Sequence, residues 1–207
     1  MKFYVHILIL ISITSISGAE NQMIYGEKQH IISYLDKDLY SNIVEQLPIL
    51  CVDVLVYNYE TRKFLLAERT CDPAKGLFWF IGGRLYKNES FFECAKRKCL
   101  EEVGLIIEPV CILDAYSLIF DKSAWNCPTH TPTIAILAFA KGSEIRLEKS
   151  HTSYKWVPIE QSQEDAYLED VRKKSQGLID KAYYLLTLDN KNPNFSTSSS
   201  AVNSLSV

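Results

Sequence analysis

Residues 82–105, GGRLYKNESFFECAKRKCLEEVGL, concentrate the side chains of this 207-residue chain that could do chemistry. Glu89 follows Gly83 after five residues, Arg97 follows Glu89 after seven, and Glu101, Glu102 and Gly104 close the stretch. Carboxylates beside a glycine turn make a hard-oxygen site suited to Mg²⁺, with Mn²⁺ as the alternative. Gly82 and Gly83 let the backbone approach a ligand with no Cβ in the way. The plain alternative is a surface helix of mixed charge, because Glu93–Arg97 and Lys98–Glu102 are ordinary i,i+4 pairs. The register of the whole set, more than the Glu101-Glu102 pair, favours the metal site.

The elements that must position these residues follow from local signals. Ser90 through Val103 reads as a helix: Ser90 with Glu93 is a capping box, and Gly104 suits the left-handed position after the last turn. On that helix Arg97, Lys98, Glu101 and Glu102 share one face, with Phe92, Ala95, Cys99 and Val103 on the core side. Asp38–Gln46 reads as a leading helix. Leu50–Tyr57 and Lys63–Glu68 read as strands around a turn at Tyr59-Glu60-Thr61. Phe78–Ile81 and Arg84–Tyr86 flank the glycines as further strands. Ile106–Phe120 is strand-rich, Thr133–Ala140 is a buried strand, and Tyr154–Val157 is a strand before a turn opened by Pro158. Asp165–Leu188 carries helical periodicity with a break at Gly177, and the Asn/Ser-rich tail from Asp189 reads as disordered.

The glycine-to-glycine stretch resembles the Nudix box, Gly-x5-Glu-x7-Arg-Glu-apolar-x-Glu-Glu-x-Gly-apolar, with one functional departure: Lys98 stands where the box has glutamate. In many Nudix hydrolases that glutamate helps bind metal or acts as the base. A lysine near its usual pKa is protonated and cannot take a proton from water, and Lys98 sits one turn before Glu102, where the two can pair. The resemblance implies an α/β/α sandwich with a mixed sheet, as a single domain over residues 35–188.

A wider match narrows the resemblance. Leu65-Leu66-Ala67-Glu68-Arg69-Thr70 leads through Asp72-Pro73-Ala74-Lys75-Gly76 and Phe78-Trp79-Phe80-Ile81 to the glycines and Arg84, and His151-x-x-Tyr154-Lys155-Trp156 lies downstream. From about Leu35 to about Gln161 the chain is similar to the GDP-mannose mannosyl hydrolase branch. That branch displaces GDP from the anomeric carbon of the sugar with inversion, so its base stands beside the sugar. Carried over by position, His151 is the general base. Arg69 and Arg84 bind the substrate and stabilise the leaving GDP. Glu102 and the Gly82 carbonyl hold the metal. Glu101 retains a carboxylate where the branch has an alanine-like residue, and is kept as a further metal ligand. Asp53, on the first strand, matches an acidic catalytic position, and Glu89 and Arg97 brace the box. The resemblance also implies a homodimer.

Some positions depart from the branch. Ser150 replaces a glutamine that helps coordinate the metal, and Ile81 replaces a proline. Residues 115–133, which would carry much of the sugar and base recognition, align poorly. Two other readings therefore stay open: a Nudix pyrophosphohydrolase cutting at phosphorus, which retained Glu101 favours, and a non-catalytic binding module on a degenerate box.

Composition bounds the rest. With 47% apolar and 23% charged residues the chain is ordinary for a globular domain, and a net charge of −3 gives no broad basic field for nucleic acid. No apolar run long enough for a membrane span lies beyond the N-terminus. Residues 1–19 follow a secretory signal pattern, with an apolar run from Ile7 to Ile16 before Ser17-Gly18-Ala19. The resulting expectation is a secreted or luminal chain with an N-terminal extension over 20–34 and a tail over 189–207. Six cysteines, Cys51, Cys71, Cys94, Cys99, Cys111 and Cys127, allow disulfides. Of the four histidines, His6 and His30 precede the expected domain, leaving His130 and His151 within it. Asn88-Glu89-Ser90 and Asn194-Phe195-Ser196 are glycosylation sequons.

Overall fold

A computed structural model describes residues 35–158 and 177–189. The expected signal segment, the extension over 20–34, the helical run over 165–176 and the tail from 190 lie outside the described residues. Helix α1 (Lys37–Gln46) precedes strands β1 (Cys51–Asn58), β2 (Lys63–Arg69), β3 (Phe78–Trp79) and β4 (Ile81–Arg84). Then come helix α2 (Phe91–Val103), strands β5 (Ile107–Phe120), β6 (Thr129–Ala140) and β7 (His151–Pro158), and helix α3 (Leu178–Asp189).

The strands form one mixed sheet in the order β3-β2-β1-β6-β5, with β4 added to β1 and β7 to β2. Only β1 and β6 run parallel. Strand β1 is buried on both faces after Cys51, which explains its nearly unbroken apolar sequence. Alternate side chains serve the two layers. Val52, Val54 and Val56 join Leu65, Ala67 and Ile81 under Cys94, Ala95, Cys99 and Val103 of α2. Leu55, Tyr57, Phe64, Leu66 and Phe80 pack against Leu178, Ile179, Ala182 and Leu186 of α3. The result is the α/β/α sandwich expected from the sequence.

The box helix forms as its caps direct. The Ser90 side chain accepts from the Glu93 N–H at 3.1 Å, and the Glu93 carboxylate accepts from the Ser90 N–H at 2.8 Å. Gly104 ends the helix at φ +70°, donating to Leu100 O, while Leu105 donates to Cys99 O. A side chain at Gly104 would be strained by that backbone.

Four expectations are corrected. The box glycines lie within β4, not between two strands, because Gly82 and Gly83 pair with Asp53 and Val52 of β1. Strand β6 begins at Thr129, not Thr133, extending its ladder with β5. Strand β7 begins at His151, not Tyr154, and pairs His151 with Arg69. Glu102 is buried, not on an open face, because the turn leading into β7 covers it, with Glu148 N–H donating to Glu102 O at 2.9 Å. All six cysteines are free thiols, and among the described residues no helix is long and apolar enough to cross a membrane.

Ser90→Ala removes the cap acceptor and is expected to lower stability by about 1 kcal/mol, with Ser90→Gly losing only a few tenths. In thermal unfolding the alanine variant should melt roughly 2–4 °C lower; equal melting of the two variants would show that the cap hydrogen bond is not what matters.

Candidate functional site

Glu89 and Arg97 hold the glycine strand to the box helix. Arg97 donates from Nε to Glu89 Oε1 at 2.6 Å and from Nη2 to Oε2 at 2.9 Å, a two-pronged pairing whose side chains are mostly buried. Arg97 Nη2 also donates to Arg84 O at 3.1 Å, and its guanidinium lies 3.7 Å from the Tyr86 ring centre. The Tyr86 N–H donates to the same Glu89 carboxylate at 3.0 Å. Burial works against the Glu89 anion, but the Arg97 fork and the Tyr86 N–H outweigh it and hold the carboxyl below its ordinary value.

The other box carboxylates are also engaged. Glu101 Oε2 accepts from Arg97 Nη1 at 3.1 Å and lies 3.9 Å from Lys98 Nζ. Lys98 Nζ pairs with Glu102 Oε1. The second oxygen, Glu102 Oε2, is buried without a hydrogen-bond partner and faces His151 Nε2 at 3.8 Å. On the opposite side of the ring, His151 Nδ1 is 3.0 Å from Ser150 Oγ. Burial pushes the imidazole below its ordinary value, and Arg69 and Lys98 act in the same direction against Glu102 and Glu148. His151 is therefore neutral near pH 7.

Across the sheet, Asp53 is clamped. Its Oδ2 accepts from Tyr116 OH at 2.5 Å and from Trp79 Nε1 at 3.1 Å. Burial nevertheless raises its carboxyl from 3.8 to about 6. Gly82 is required beside it: a Cβ there would run into Val52 O and come within 2.5 Å of Asp53 Oδ1. Asp53, Arg69, Gly82, Gly83 and Arg84 line a cleft of about 210 Å³ together with Tyr40 and Trp125. Arg69 is fixed by donation from Nε to Pro73 O at 2.7 Å. Arg84 lies over the rings of Tyr40 and Tyr86, at 4.6 and 4.9 Å. The Cys51 thiol on the same wall is pushed up to about 12, chiefly by burial, so it is not a thiolate nucleophile.

The structure thus brings together Asp53, Arg69, Gly82, Gly83 and Arg84 at the cleft, and places Glu102 and His151 together outside its lining. Glu89 and Arg97 form the brace, Gly104 the helix cap, and Glu101 the exposed edge of the box. Sequence reasoning passed over Trp79 and Tyr116 as partners of Asp53. The signal was there: an aspartate inside an apolar strand must find donors.

The donor set does not fit a divalent ion as it stands. Lys98 sits on Glu102 and beside Glu101, and among the described residues no three His, Cys, Asp or Glu side chains converge as a metal site.

The family model of the NUDIX domain matches residues 48–177, and the chain belongs to the Nudix family. Hydrolases of this family generally use divalent ions such as Mg²⁺. The NAD-capped RNA hydrolase ndx-9 of Caenorhabditis elegans is 30% identical over 90 residues, which are 44% of this chain and 22% of that protein. The chain therefore spans about a fifth of that relative's length. A NUDIX hydrolase from Nitrosomonas europaea superposes with a TM-score of 0.52 at 16% identity, covering 66% of this chain and 89% of its own. The NUDIX domain of Shewanella oneidensis NrtR, solved with ADP ribose, gives a TM-score of 0.47 at 22% identity, covering 73% and 99%. At 16% identity the likeness to the Nitrosomonas europaea hydrolase is one of fold alone.

Asp53→Asn keeps an acceptor for Tyr116 and Trp79 but removes the titration. A folded value raised from 3.8 to about 6 means the protonated carboxyl stabilises the fold at low pH, and that contribution is lost as pH rises through about 6. The stability of the variant relative to the parent should therefore rise by roughly 3 kcal/mol between about pH 3.5 and about pH 7. Denaturant unfolding at both pH values measures it, and a difference that does not change with pH would mean that Asp53 titrates normally.

Proposed function

We propose that the chain hydrolyses a GDP-mannose-like nucleotide sugar, releasing GDP and free sugar by water attack at the anomeric carbon. The observation that carries this reading is the occupation of the box carboxylates: Arg97 holds Glu89, Arg97 and Lys98 flank Glu101, and Lys98 holds Glu102. Each box carboxylate is paired with a cation, which weakens it as the base for attack at phosphorus, whereas His151 is held neutral and pairs with Arg69 across the sheet.

In this reaction a C1–O bond forms to water and the C1–O bond to the diphosphate breaks, its electron pair leaving with GDP. Arg69 and Arg84 at the cleft meet the charge that develops on that leaving group, where guanidinium forks gain most. The reaction uses the tautomer with the proton on His151 Nε2, 3.8 Å from Glu102 Oε2, which leaves the Nδ1 lone pair to accept from the Ser150 hydroxyl 3.0 Å away. The His151 side chain is only 1% exposed, so the proton from water passes through the Ser150 hydroxyl to Nδ1. Glu102 Oε2, otherwise without a partner, then faces the imidazolium. Asp53 acts from the cleft wall by fixing Trp79 and Tyr116.

The second reading is a pyrophosphohydrolase acting at phosphorus. It is favoured by one observation: Asp53, raised to about 6, lines the cleft with both arginines, and His151 does not.

Phosphorus NMR of the products from GDP-mannose separates the two readings. GDP as the sole nucleotide is expected; GMP with mannose 1-phosphate would transfer the assignment to the second reading, and absence of turnover would favour a binding module. His151→Ala is expected to lower kcat at least ~100-fold, with Ser150→Ala losing roughly 10-fold through the relay. The rate should fall as pH drops through a value below 6.5, where His151 takes up its proton. An unchanged rate in His151→Ala would remove it as the base.

A further inference from the structure

We propose that Lys98 is a resident cation of the box: its ammonium takes the place on Glu102 that a divalent ion would hold, so metal binds there only weakly while the lysine is present. Three observations carry this. First, Lys98 Nζ pairs with Glu102 Oε1 and lies 3.9 Å from Glu101 Oε2, so one ammonium serves both carboxylates of the pair.

Second, the pair is largely withdrawn from water, with side chains 17% and 9% exposed. An ordinary i,i+4 pair on an open helix face does not account for that, and lysine placed N-terminal to glutamate is the weaker orientation for helix support. A buried carboxylate needs a counter-charge, and here the chain supplies its own.

Third, the glycine strand is shaped for the lysine. A Cβ on Gly83 would lie 2.9 Å from Lys98 Cε and 3.4 Å from Nζ, so the lysine stem occupies the space that the glycine leaves open. Gly83 also lines the cleft. The ammonium is thus a fixed single positive charge next to where a substrate diphosphate would lie, with no exchangeable ion needed to neutralise Glu102.

The test is Mn²⁺ titration of the full chain, reading free Mn²⁺ by electron paramagnetic resonance. Lys98→Met is expected to bind Mn²⁺ at least ~10-fold more tightly than the parent, because a unit positive charge in contact with the ligand oxygen is removed. The gain should vanish in Lys98→Met with Glu102→Gln. Equal affinity of parent and Lys98→Met, or a gain that survives the glutamine, would overturn the proposal. Lys98→Gln serves the same comparison if the methionine variant does not fold. Glu102→Gln alone provides an independent arm: it should lower the parent's Mn²⁺ affinity far less than it lowers that of Lys98→Met, and an equal drop in the two would overturn the proposal by showing that Glu102 holds metal just as well with Lys98 present. The readout is metal binding, not turnover, so it is separate from the substrate and products proposed above.

Discussion

The two-pronged pairing of Arg97 with Glu89 is the interaction on which the site depends. One guanidinium ties three pieces of chain together: the loop before α2 through Glu89, the end of the glycine strand through Arg84 O, and the open edge of the helix through Glu101. Tyr86 closes the group from both its backbone and its ring. Removing one member of such a partly buried pair leaves an uncompensated charge, a loss on the order of 3–5 kcal/mol. The consequence is geometric as much as energetic: Gly82, Gly83 and Arg84 are presented to the cleft at a height that the helix sets.

Around that brace the site has two neighbouring groups of charges that feel each other, since Arg69 acts on both Asp53 and His151 and Glu102 acts on Asp53. On the cleft side, Arg69 and Arg84 line the cavity, and Asp53 is hydrogen-bonded by the neutral donors Trp79 and Tyr116 with the Arg69 charge nearby. On the helix side, Glu102 is shared between Lys98 and His151. Gly82 lets the glycine strand run against Asp53 with no side chain between. Each box carboxylate is paired with a cation of the chain, while Arg69 and Arg84 line the cleft.

The parts of this arrangement legible in the sequence are those set by neighbours within one turn. Ser90, Glu93 and Gly104 mark the ends of the box helix because capping is local, and the Glu89–Arg97 spacing marks the brace. The apolar run of β1 marks a strand buried on both faces. Contacts across the sheet were not legible. Nothing near Asp53 in sequence indicates Tyr116, which reaches it from β5. Nothing in the helical pattern indicates that the turn before β7 folds over Glu102 and converts a surface position into a buried one. His151 reads as a loop histidine until its pairing with Arg69 places it at the start of a strand.

The parallel pairing at the centre of the sheet has a bearing on how this chain acquires its shape. Residues 51–57 of β1 pair with residues 133–139 of β6, with the glycine strand, the box helix and β5 all lying between them in the sequence. Such non-local pairing forms slowly, since a long loop must close before any contact rewards it. Until β6 has been synthesised, β1 can hold only its antiparallel neighbours, and one edge of a largely apolar strand stays open. That edge is a template for pairing with another chain. The step at which the two halves of the cleft first come together is therefore also the step at which a growing chain is most exposed to misassembly.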